Sequence, residues 1–104
     1  MHYRLMNEYS VVWPFWPDDG PAAEGKPALP SHIEEAVRGW TAEFNRSYSP
    51  EHGWPDPTTA RQHEEQGHRL HAIIEKLLPP EDSVSFEYWE TAQRGGPKRR
   101  GRSA

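Results

Sequence analysis

With 104 residues, 34% of them hydrophobic, the chain has room for one domain and one modest core. It has no cysteine and no apolar run near the ~20 residues of a membrane span, which excludes disulfides, thiolate metal sites and a transmembrane helix. The net charge of −4 argues against a nucleic-acid backbone as the main partner, and five Trp must supply core area that the few aliphatics cannot.

The first residues, Met1 to Leu5, lack the basic and apolar regions of a signal peptide, so a cytoplasmic protein is expected. From His2 to Phe15 the apolar residues approximate period two: Tyr3, Leu5, Tyr9, Val11, Trp13 and Phe15 on one face, Arg4, Glu8 and Ser10 on the other. This predicts a strand, with Asn7 interrupting its apolar face as a bulge or short turn. Three Trp-Pro dipeptides, Trp13-Pro14, Trp16-Pro17 and Trp54-Pro55, form rigid aromatic corners, because proline drives the preceding residue into extended backbone. Residues 17–30 carry four prolines and two glycines and predict a long loop, mobile or functional.

Ser31-His32-Ile33-Glu34 fits a capping box and opens a first helix. Ile33, Val37, Trp40, Phe44 and Tyr48 then form one apolar stripe, and Ser49-Pro50 ends it. Gly39 weakens the middle and leaves space for something bulky. A second helix is predicted from the N-cap Asp56 and Pro57, with Thr58 as the alternative cap, to about Leu78, stopped by Pro79-Pro80. Its apolar side is Ala60, His63, Gly67, Leu70, Ile73, Ile74, Leu77 and Leu78. A last strand covers 84–90, with Val84, Phe86 and Tyr88 facing in and Trp89 out of phase. The expected fold is a single α+β domain over 1–93 in the order β-α-α-β, two amphipathic helices packed on one face of a small sheet. The pairing direction of the strands is open, and an open edge strand would suit either a monomer or a homodimer.

Residues 94–104 hold five basic side chains and no acid, so the body before them carries seven bases against all 16 acids, a net of −9. This end is expected to be a disordered basic tail capable of weak nucleic-acid contact. Catalytic signatures are missing: there is no Gly-x-Ser-x-Gly elbow and no glycine-rich phosphate loop. Glu64, His68, His71 and Glu75 share one side of the second helix, away from its apolar stripe, and are the candidate metal ligands. Residues 63–68 resemble the zincin His-Glu-x-x-His, but the histidines are five apart and do not share a face.

Trp16, Trp54 and Trp89 are claimed by no apolar stripe. With Asp18 and Asp19 they are the expected partner-binding residues, since Trp dominates binding hot spots and nearby charge steers association. The competing account is that Trp16 and Trp54 cover the open ends of the core.

The succession Asn7-Glu8-Tyr9, the 12–16 run Val-Trp-Pro-Phe-Trp, Trp40, Phe44, Gly53-Trp54, Gln66-Gly67 with Leu70, and Tyr88-Trp89 resembles small uncharacterised actinobacterial single-domain proteins over residues 3–90. In such a setting compact acidic domains are often immunity proteins or antitoxins. The resemblance therefore implies a non-enzymatic, cofactor-free inhibitor of a protein partner such as a basic toxin. The alternatives are a small nucleic-acid-associated protein using the basic tail and a metal-dependent enzyme using His68 and His71.

Overall fold

The computed structural model describes residues 1–18 and 20–90. Its elements are β1 (His2–Leu5), β2 (Phe15–Trp16), α1 (Ser31–Ser47), α2 (Pro57–Leu77) and β3 (Ser83–Phe86). This is a small α+β fold in which the helices cover a three-stranded sheet of order β2-β1-β3. β1 pairs parallel with β3, from His2 opposite Ser83 to Leu5 opposite Phe86. The helical hairpin carries the chain back to where β3 starts beside β1, which makes the parallel pair possible.

The single strand expected over 2–15 is instead an antiparallel pair, β1 and β2, joined by a loop. The interruption at Asn7 is therefore a full reversal. Val11 N–H donates to Glu8 C=O, Ser10 takes a left-handed φ of 66°, and Met6 N–H rejoins the ladder at Pro14 C=O. Asn45 of α1 holds the loop by accepting from Ser10 N–H and donating to Val11 C=O. These bonds offer the backbone an alternative to continued strand pairing.

Residues 17–30 are tied down. Ala22 N–H donates to Phe15 C=O, and the Trp13 indole N–H donates to Lys26 C=O at 2.6 Å. Arg38 of α1 lies over the Trp13 ring, 4.9 Å from its centre, and pairs with Glu24 and Glu34. Arg38 also explains why the capping box does not form. Glu34 binds Arg38 at 2.8 Å, Ser31 is already helical, and Pro30 C=O receives the N–H groups of Ile33 and Glu34. At α2 the expected cap is present: Asp56 accepts from Thr59 N–H at 2.7 Å and Pro57 takes the first turn.

The core joins Tyr3, Leu5, Trp13, Phe15 and Val84 of the sheet layer to Ile33, Val37, Trp40, Leu70 and Ile74 of the helices. α2 buries His63, Gly67, Leu70 and Ile74, a narrower stripe than expected, because Ile73 and Leu77 remain exposed. Gly67 is required by close packing. A Cβ there would stand 2.8 Å from the Trp40 ring and closer still to Phe86. Gly39 faces open space.

Candidate functional site

The end of β1 gathers most of the unusual chemistry. Past Leu5 the chain leaves the ladder, and its next two carbonyls are taken by tryptophans. The Trp16 indole N–H donates to Met6 C=O and the Trp89 indole N–H donates to Asn7 C=O, each at 2.8 Å. Both rings are half-buried. A buried carbonyl without a donor is costly, so these bonds fix the loop and both rings together.

Between the two carbonyls sits the Asn7 side chain, wholly buried, whose amide donates to Glu90 Oε2 at 3.0 Å. Glu90 is 1% exposed. Glu90 Oε1 and Asn7 Oδ1 are buried acceptors with no hydrogen-bond partner, and Glu90 has no ion pair among the described residues. Burial pushes the Glu90 carboxyl up to about 7, against the opposing pull of the Asn7 amide and the main-chain N–H groups of residues 89 and 90.

An aromatic cluster lies near this acid, whose charge acts on the Tyr9 and Tyr88 phenols. Tyr9 packs against Phe44 at 5.6 Å, Tyr48 at 6.1 Å and the edge of Trp89 at 5.6 Å. Phe44 and Tyr48 of the α1 end also meet Trp89 and Trp54. Partial burial and the neighbouring Glu8 raise the Tyr9 phenol above its ordinary value. On the outer side Met6, Glu8, Tyr9, Glu87 and Trp89 line an open groove of about 330 Å³. Its walls are aromatic and its rim is acidic, with Glu87 also pairing loosely with Arg4 at 3.4 Å.

The residues nominated from sequence separate. Trp89 lines the groove, although it was expected on the opposite face from Tyr88. Regular strand geometry ends at Phe86, so Tyr88 and Trp89 both reach aromatic neighbours. The expected exposure of Trp54 is corrected: it is 8% exposed and packed against Phe44, Tyr48 and His63. Trp16 is held on Met6 C=O and is not among the residues that line the groove, Asp18 is exposed on the following turn, and Asp19 lies outside the described residues. The basic tail, 94–104, also lies outside them.

The histidine face of α2 is likewise corrected. His71 does not face away from the sheet: its Nε2–H donates to Val84 C=O at 3.0 Å and its ring stacks on Phe86. His68 touches the Phe86 edge and sits 3.6 Å from Glu64. Among the described residues no group of three or more His, Asp or Glu is arranged to hold a metal ion. His63 is buried between the helices, and desolvation lowers its pKa, opposed by its bond to Trp40 C=O. The neutral ring therefore donates from Nε2 and accepts at Nδ1 from the Tyr88 hydroxyl, 2.8 Å away. Burial likewise raises the Tyr88 phenol, which stays protonated as that donor.

Sequence reasoning missed Asn7, Tyr9 and Glu90 as a unit. The signal for Glu90 was present, since it continues the inward phase of Val84, Phe86 and Tyr88. No helix among the described residues is long and apolar enough to cross a membrane. Searches against protein-family models and against curated proteins find no match for this chain.

Proposed function

We propose that this chain is a non-enzymatic binding domain that takes a basic segment of a protein partner in the groove between Tyr9 and Trp89. The groove itself carries this reading: two aromatic walls attract a cation through their ring faces, and Glu8 and Glu87 supply opposite charge at the rim. The excess of acids over bases in residues 1–93 supports the same partner chemistry by steering a basic protein toward it. The most concrete form is an immunity-type inhibitor that caps a basic toxin, in keeping with the sequence resemblance.

The test is fluorescence anisotropy of labelled nona-arginine, nona-glutamate and single-stranded RNA with the full chain. Basic-peptide binding that weakens about tenfold in Trp89→Ala and several-fold in Glu8→Gln/Glu87→Gln supports the reading. Equal binding of nona-arginine by wild type and these variants overturns it. RNA binding lost on removing 94–104 would instead favour the nucleic-acid reading.

A further inference from the structure

We infer that Asn7 and Glu90 form the receiving end of this groove for a single guanidinium group, the side chain of one partner arginine. This rests on the groove being the partner site and names what anchors there. The geometry is specific. Met6 and Glu8 of the groove lining flank Asn7 in the chain and Trp89 of the lining precedes Glu90, so both buried side chains belong to residues next in the chain to the groove walls, and Glu90 is close enough to act on the Tyr9 phenol.

The Asn7 amide binds one Glu90 oxygen and thereby holds both side chains in place, leaving Asn7 Oδ1 and Glu90 Oε1 without partners among the described residues. Two fixed acceptors, one of them anionic, match the planar fork of a guanidinium, which also stacks on aromatic faces such as Tyr9 and Trp89. An ammonium is a point charge and uses such a fork less well. Access requires the Trp89 ring to shift, and the bond from its indole N–H to Asn7 C=O is what holds it now.

The proton inventory follows. Glu90 is largely desolvated, so near neutrality part of the population carries the proton. A guanidinium seated against it favours the carboxylate, and that proton leaves to solvent. The other titratable groups acting on Glu90 or on its phenol neighbours are Glu8 and Tyr9 of the β1–β2 loop, Tyr48 at the α1 end, Glu51, Glu64 of α2 and Tyr88. Of these, Tyr9 and Tyr88 are raised, so neither phenol ionises near neutrality.

The experiment is calorimetric titration of the full chain with nona-arginine and nona-lysine at pH 7, in two buffers of different ionisation heat. Expected are tighter binding of arginine than lysine, net proton release, and a loss of roughly tenfold or more in affinity in Glu90→Gln with the proton release gone. Binding by wild type with no proton release, and within twofold in Glu90→Gln, overturns the inference while leaving the groove reading in place. No binding by wild type overturns both. The proton count on wild type needs no variant, so the result stands even if Glu90→Gln folds poorly.

Discussion

Trp40 and His63 clasp each other across the helix pair. The Trp40 indole N–H donates to His63 C=O at 2.8 Å, the His63 Nε2–H donates to Trp40 C=O at 2.8 Å, and the two rings stack at 4.7 Å with planes 5° apart. Each ring therefore satisfies a main-chain carbonyl of the facing helix while burying its own polar edge. His63→Ala removes two side-chain bonds, to Trp40 C=O and to the Tyr88 hydroxyl, and opens a cavity beside Trp40. Chemical denaturation at pH 7 should show a loss of about 2–4 kcal/mol, with Tyr88→Phe costing only about 1 kcal/mol. A loss below 1 kcal/mol for His63→Ala would show that the clasp is dispensable.

Glu90 and His63 tilt stability in opposite directions with pH. The folded Glu90 carboxyl, at about 7, lies above its ordinary 4.5, so the folded state holds the proton more tightly. Its contribution is complete below pH 4.5 and is lost as pH rises through about 7. His63 is depressed below its ordinary 6.5, so its contribution is present above that value and lost as pH falls. Urea titrations from pH 5 to 9 should show wild type losing up to about 3 kcal/mol on the alkaline side relative to Glu90→Gln. Parallel curves for the two proteins across that range would refute the assignment.

The two helical glycines should respond with opposite signs. At Gly39 nothing lies within 4 Å of an added Cβ, so Gly39→Ala should stabilise by about 0.5–1 kcal/mol through lower unfolded-state entropy. At Gly67 the methyl collides with the Trp40 and Phe86 rings, and Gly67→Ala should destabilise by roughly 1–3 kcal/mol. Thermal melts of the two single variants decide the matter, and a shared sign is the outcome that contradicts the packing described.

Trp54 and Trp89 separate stability from binding. Trp54 is a core ring, so Trp54→Ala should cost about 3–5 kcal/mol and affect binding only through unfolding. Trp89→Ala, at the groove, should weaken nona-arginine binding about tenfold in the fraction that remains folded. Anisotropy at a temperature where circular dichroism shows both variants native gives the comparison.

His71 guards an edge of the sheet. β3 pairs with β1 on one side only, and the His71 ring takes Val84 C=O, a group an incoming strand would use. His71→Ala should raise self-association, read as a concentration-dependent rise in sedimentation coefficient. Unchanged sedimentation up to high concentration would show that other features protect the edge.

The helices were legible because their signals are local. The Asp56-Pro57 start of α2 and its end before Pro79-Pro80 depend on residues within a turn of each other, and both are present. The capping box at Ser31 was misread even so: Pro30 is the N-cap and Ser31 is already helical, and Glu34 pairs one turn on with Arg38, which Glu24 and Trp13 engage from distant segments. The same distinction governs the site. Trp89 could be nominated from its phase, but the groove depends on Tyr9 leaving its strand for α1, and alternation along residues 2–15 gives no hint of that reversal.

By itself, the sequence determined the class of fold, the extent of both helices and the reliance on aromatic rings in place of aliphatics, since composition and periodicity act over a few residues. Tertiary structure alone decided which rings became core and which lined a groove, that β1 runs parallel to β3, and that Asn7 meets Glu90 across 83 residues of chain. The packing that brings them together turns an acid in an alternating pattern into a buried carboxyl raised to about 7, with the Asn7 bond pulling against that rise. Its raised proton affinity comes from desolvation, and desolvation exists only once distant segments have packed.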